Sequence, residues 1–92
     1  MKVSNMTSSN GNKIANQFVI IDGNLEYFQS YDSVVVKVDN SKGHFNQTVY
    51  LDERLWDYSR TTGRYRNQFL GETKAETQKK IDSGEYILTN LN

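Results

Sequence analysis

The sequence predicts an α+β fold: a small antiparallel sheet of four to five strands with two short helices on one side, in the order ββββααβ. Three observations lead to it. Ser33 to Val38 and His44 to Leu51 both alternate apolar and polar residues, as strands with one buried face do. Asp22-Gly23 lies between two β-branched and aromatic runs, a hairpin signal because both residue types tolerate positive φ. Thr73-Lys74-Ala75-Glu76 has the spacing of a capping box, so a helix starts there.

In chain order, Ser4 to Asn16 is rich in Ser, Asn and Thr and has no hydrophobic period. Residues 1–16 are therefore expected as a loosely ordered amino-terminal arm, and residues 17–92 as a single domain. Gln17 to Ile21 and Leu25 to Gln29 form the predicted hairpin, with Tyr31-Asp32 as the next corner. Ser33 to Val38 puts Val34, Val36 and Val38 on one face, with Val35 and Lys37 on the other. After a turn at Asp39 to Gly43, the strand from His44 to Leu51 puts Phe45, Val49 and Leu51 on one face. A helix over about 61–70 is marked by Tyr65 and Phe69, four residues apart, and ended by Gly71, although Gly63 weakens it. A second helix over about 74–83 stops at Gly84 and has a thin apolar stripe of Ala75 and Ile81. Glu85 to Thr89 is the last strand.

The composition excludes several classes. The 92 residues contain no Cys, so neither a disulfide nor a Cys-based metal site reinforces the core. No run approaches about 20 apolar residues, and the start shows no apolar signal region. The chain is therefore read as cytosolic. The sequon matches at Asn5-Met6-Thr7 and Asn46-Gln47-Thr48 are then chance.

Eleven Lys and Arg balance 11 Asp and Glu, but the balance is uneven along the chain. All four arginines, Arg54, Arg60, Arg64 and Arg66, fall within one short stretch. Residues 53–70 carry four Arg against two acids, while both flanks are mildly acidic. A neutral chain argues against a general polyanion coat, and a local Arg cluster argues for one anion-seeking patch.

Catalytic constellations are missing. There is one His, His44, read as a surface residue, and no phosphate-loop motif. The acids are scattered through turns, where carboxylates usually bond their own backbone. The reading is therefore of a protein without enzymatic activity, cofactor or metal. The informative segment is Trp56 to Leu70, which interleaves aromatics with arginines. Arg60, Arg64 and Arg66 would supply charge there. Thr61 and Thr62 would supply donors at a helix start, and Trp56, Tyr58 and Tyr65 stacking area. The competing reading has Trp56, Tyr65, Phe69 and Leu70 capping the sheet while the arginines form solvated ion pairs with Glu53, Asp57 and Glu72. A third is a protein-binding surface, since Trp, Tyr and Arg are also interface residues. Tyr27 to Ser33 forms a second aromatic cluster, one face of which is either covered by the second helix or the arm, or open to a ligand.

Tyr27-Phe28-Gln29-Ser30-Tyr31-Asp32-Ser33, Trp56-Asp57-Tyr58-Ser59, Thr61-Thr62, Tyr65-Arg66-Asn67-Gln68-Phe69-Leu70 and Gly84-Glu85-Tyr86 together resemble a family of small proteins encoded by phages of Gram-positive bacteria, grouped as a domain of unknown function. The resemblance spans about Gln17 to Leu91 and transfers no site residues. It implies an accessory phage protein acting in the host cytoplasm. Genes of that kind often encode non-enzymatic inhibitors of host defence, including anti-CRISPR proteins, nucleic-acid mimics and proteins that sequester nucleotides. The expected function is thus a phage-encoded binding protein that inhibits a host defence component through its Arg/aromatic surface. Its partner would be a host defence protein or an anionic ligand, nucleotide or nucleic acid, with no membrane involved. The alternatives are a DNA- or RNA-binding accessory protein and a structural scaffold that forms a homo-oligomer.

Overall fold

The structure is a computed structural model that describes residues 1–92 except the side chain of His44. The expectation for His44 as a surface residue lies outside the described residues. Six strands form one sheet in sequence order: β1 (Lys2–Thr7), β2 (Lys13–Asp22), β3 (Leu25–Ser30), β4 (Ser33–Asp39), β5 (Thr48–Asp52) and β6 (Tyr86–Thr89). The first five pair antiparallel as a meander, and β6 joins β5 in parallel. A parallel neighbour needs a crossover. Here the crossover contains both helices, α1 (Arg60–Leu70) and α2 (Lys74–Asp82). The α+β class and the two helices follow expectation, whereas the sheet is mixed rather than antiparallel, because β6 returns through that crossover. Among the described residues, no helix is long and apolar enough to cross a membrane.

The sheet has six strands rather than four or five because the expected arm is β1, a turn and the start of β2. β1 reads Lys-Val-Ser-Asn-Met-Thr and buries only Met6. An edge strand of this kind is held by backbone pairing to β2, so it needs no hydrophobic period. The Asp22-Gly23 signal marks a real hairpin one residue out of register. Asp22 pairs with Leu25, and the two-residue turn is Gly23-Asn24. Gly23 has φ 61° and Asn24 is not left-handed, which is the glycine-first pattern of a type II′ turn.

Two further departures concern faces. The predicted strand from His44 begins only at Thr48, opposite Asp39, the last residue of β4. Earlier residues have no strand to pair with, and His44–Asn46 form a single 3-10 turn. Phe45 is consequently fully exposed instead of joining Val49 and Leu51 in the core. In β4 the partners step from Phe28↔Val36 to Gln29↔Val34, which leaves Val35 as the extra residue of a bulge. The bulge breaks the alternation, so Val35 and Val36 are both buried.

Phe28, Val36, Val38, Val49, Leu51 and Tyr86 form the centre of the core, on the face covered by the helices. Phe69 of α1 stacks on Phe28 with ring centroids 5.8 Å apart, worth about 0.5–1.5 kcal/mol beyond the area it buries. Phe28 of the β3 cluster is thus covered by α1, while Tyr27 points to the opposite face of the sheet and Tyr31 is exposed. α2 has its capping box, with Glu76 N donating to Thr73 Oγ1 and Thr73 N donating to Glu76 Oε1. Its buried residue is Thr77, whose hydroxyl donates to Glu72, while Ala75 is exposed. Glu72 also accepts from Lys80 Nζ and Tyr86 Oη, both at 2.8 Å. Burial above all, together with this bond to the carboxylate, pushes the Tyr86 phenol up to about 12.

Asp52 ends β5 and is 2% exposed. Its carboxylate accepts from Arg54 N, Leu55 N, Leu91 N and the Asn92 amide. The Asn92 amide also pairs with both backbone groups of Val34, at 2.8 and 2.9 Å, beyond the point where β5 stops. Burial is the largest influence on Asp52 and pushes its carboxyl up. The four hydrogen bonds together outweigh it and hold the group below its ordinary 3.8. Glu72 is held below its ordinary 4.5 in the same way: burial raises it, and Lys80, Thr77 and Tyr86 outweigh that.

For both carboxyls the unfolded chain binds protons at higher pH than the folded one. Their contribution to stability is therefore full above their ordinary values and is lost as the pH falls through the lowered folded ones. Chemical denaturation should show stability falling below about pH 4. Asp52→Ala should cost about 1–3 kcal/mol at neutral pH, and much less in acid.

Candidate anion-binding site

The carboxylate and carbonyl of Asp52 organise the approach to the site. Leu55 N and Trp56 N both donate to the Asp52 carbonyl, and Tyr58 N donates to Leu55 O. Ser59 then caps α1, its hydroxyl accepting from Thr62 N at 3.1 Å. Gly71, left-handed at φ 69°, ends the helix. The sequence from Trp56 to Leu70 is thus a capped helix with a folded lead-in.

The three arginines of this helix have separate fates. Arg60 and Arg64, four residues apart, are exposed, and among the described residues neither forms an ion pair. The Arg64 guanidinium lies 5.5 Å from the Tyr65 ring centroid. Arg66 is 1% exposed. It donates to the Trp56 carbonyl, to Asp57 Oδ1 at 3.5 Å and to Asn67 Oδ1 at 2.8 Å. Its guanidinium also lies 5.2 Å from the Trp56 ring centroid. Arg66 is an internal strut that ties the helix to its own lead-in. Of the ion pairs expected for the arginines, only Arg66–Asp57 forms among the described residues; Glu72 pairs with Lys80 instead.

The other expected residues divide similarly. Thr61 is exposed. Thr62 is buried, and its hydroxyl pairs with Ser30 at 3.1 Å, joining α1 to β3. Trp56 and Tyr65 are half-buried against the core, as the sheet-capping reading has it. Tyr58 is 73% exposed and stands beside Ser59 at the helix start.

Asp57, Tyr58, Arg60, Gly63, Arg64 and Lys74 line an open groove of about 600 Å³, with Arg66 and Asn67 at its base. Lys74 escaped the sequence reading. It opens α2, and its ammonium contacts Asp57 Oδ2 at 2.7 Å. The signal that could have placed it is the capping box at Thr73, which starts α2 just after Gly71 and so turns its first residue back toward α1. Asp57, the one acid on the groove wall, is held below its ordinary range, chiefly by the Lys74 hydrogen bond and then by Arg66. Its charge is therefore already matched. Arg60 and Arg64 remain as donors that could bind an anion. Among the described residues, no three His, Asp or Glu side chains converge to hold a metal ion.

Gly63 lies against Arg66. A Cβ built there would stand 3.6 Å from the guanidinium nitrogens, which is ordinary contact, and the backbone is helical. Gly63→Ala should therefore raise stability by about 0.5–1 kcal/mol in thermal melts. Arg66→Met should be strongly destabilising, because the Trp56 carbonyl and Asp57 lose a buried donor.

No curated protein and no solved structure matches the chain. A family model described as a family of unknown function, DUF8033, matches residues 1–85. The chain belongs to that family.

Proposed function

We propose that this chain is a non-catalytic binding protein that takes a phosphate or carboxylate group of its partner on Arg60 and Arg64. The observation that carries the proposal is the contrast among the arginines. Arg66 is spent on structure, whereas Arg60 and Arg64 are exposed and, among the described residues, form no ion pair. The helix start adds the positive end of the backbone dipole. Lys74 neutralises the one acid on the groove wall. Tyr58 offers an exposed ring beside the groove, which favours a nucleotide or nucleic-acid segment over a bare carboxylate.

In the setting implied by the resemblance to phage proteins, the partner is a nucleotide-handling or nucleic-acid-handling component of a host defence system. The protein would block that component by occupying its anionic ligand or surface. Direct DNA or RNA binding is the weaker version, since the two arginines of the groove supply few phosphate contacts.

The test is titration of nucleotides and short single-stranded oligonucleotides by fluorescence anisotropy, followed by a defence-inhibition assay. Arg60→Glu with Arg64→Glu should weaken binding about 10- to 100-fold while leaving the melting temperature unchanged. Arg66 is left intact in that variant, because its loss would confound binding with folding. Binding of the single-stranded oligonucleotides should weaken with salt with a log–log slope of about −1.4, as expected for two phosphate contacts. Unchanged affinity and unchanged inhibition in the double variant would reject the proposal.

A further inference from the structure

The β2–β3 and β3–β4 turns are both two residues long, and both open on a residue with positive φ. Asp22 pairs with Leu25 around Gly23-Asn24, and Ser30 pairs with Ser33 around Tyr31-Asp32. Gly23 has φ 61° and Tyr31 φ 58°. Glycine takes that conformation at no steric cost, whereas a bulky aromatic residue is strained there. The strained backbone is held from two sides. Tyr31 N donates to Asn16 O at 2.7 Å, and Gln29 Nε2 donates to Tyr31 O at 2.8 Å. The ring gains no place in the core in return, since Tyr31 is 53% exposed. It lines a cavity of about 170 Å³ between this turn and the start of α1. Buried Ser30, Val35 and Thr62 form the floor, and exposed Tyr31, Asp32 and Tyr58 the mouth. Tyr58 and Ser59 also line the groove of Arg60 and Arg64, so cavity and groove share a wall.

We infer that this cavity takes the base of a pyrimidine nucleotide that carries an exocyclic amine, as cytosine does; the inference rests on reading the adjoining groove as a phosphate site. Size selects a single ring. An enclosed cavity of about 150 Å³ accepts benzene. At about 170 Å³ this one takes one six-membered ring and leaves the second ring of a purine outside. The lining selects a heterocycle over a plain phenyl ring. The hydroxyls of Ser30 and Thr62, 3.1 Å apart, share one hydrogen bond and keep further donor and acceptor capacity. Tyr31 and Tyr58 offer ring faces on which a base can stack. Asp32 selects the amine. Among the described residues its carboxylate forms no ion pair and accepts only from Ser33 Oγ, at 3.2 Å. It can accept from the amine of cytosine, where uracil would present a carbonyl oxygen. The same charge turns a phosphate away from the cavity and toward Arg60 and Arg64.

Amide NMR titrations of the full chain with cytidine, uridine, adenosine and ribose 5-phosphate test base and phosphate separately. Cytidine should shift the amides of Ser30, Ser33, Ser59 and Thr62 and bind about fivefold more tightly than uridine or adenosine. Asp32→Asn should abolish the preference for cytidine over uridine. Tyr31→Gly suits the backbone, so the chain should be at least as stable in thermal melts. It should nevertheless bind cytidine about tenfold more weakly, with ribose 5-phosphate binding unchanged. A chain that binds cytidine in this way but not ribose 5-phosphate would support the base site and reject the phosphate reading of the groove. The base site itself is overturned if cytidine leaves these amides unmoved, if Tyr31→Gly binds it as well as the wild type, or if adenosine binds equally tightly. It is also overturned if N-acetylphenylalanine amide shifts the same amides at lower concentration than cytidine, which would assign the cavity to a side chain of a protein partner.

Discussion

One buried carboxylate holds together the end of the molecule where the candidate site lies. Asp52 cannot leave its lone pairs empty at 2% exposure, and the backbone around it is arranged to fill them. Arg54 and Leu55 turn back over it, which fixes the direction of the chain into Trp56, Asp57 and the cap at Ser59. Leu91 and Asn92 come in from the far end of the sequence. Through Asn92 the same centre reaches Val34, at the bulged end of β4. The start of α1 is placed by this convergence as much as by its own cap. A groove that depends on the helix start therefore inherits its geometry from a residue that does not line it.

Strand register does the rest of the positioning. Because β6 returns parallel to β5, the crossover must carry α1 and α2 over one side of the sheet, and each strand then presents alternate residues to that side. Phe28, Val36, Leu51 and Tyr86 meet the helices; Tyr27, Lys37, Tyr50 and Ile87 do not. Ser30 and Thr62 supply a polar pin between the layers. Arg66 supplies another within the helix segment itself, where a long side chain fills the space beside Gly63 and closes on Trp56.

Much of this was legible in the sequence wherever a feature is local. The capping box at Thr73, the stop at Gly71, the hairpin near Gly23 and the burial of Val49 and Leu51 all follow from neighbours a few residues apart. Features that depend on a distant partner were not legible. β1 carries no apolar period because its stability comes from pairing with β2. Phe45 alternates correctly with Val49 but lies past the end of β4, where alternation has no sheet to act on. Val35 needed the bulge opposite Gln29. At the site, Arg60, Arg64 and Arg66 are chemically identical in the sequence, and only packing against Trp56 separates the strut from the free pair. Lys74 belongs to another helix and reaches the groove only through the fold.

The parallel closure of the sheet also sets an order for assembly. β1 to β5 can pair as soon as they exist, since each partner is the next strand along. β5 must wait for β6, whose residues follow only after both helices have been made. Until then the emerging chain has an unpaired β5 edge and a bare layer of Phe28, Val36 and Leu51. Such a half-sheet is slow to complete and prone to pair with its neighbours. The last third of the chain must therefore arrive before what the first two thirds have exposed is covered.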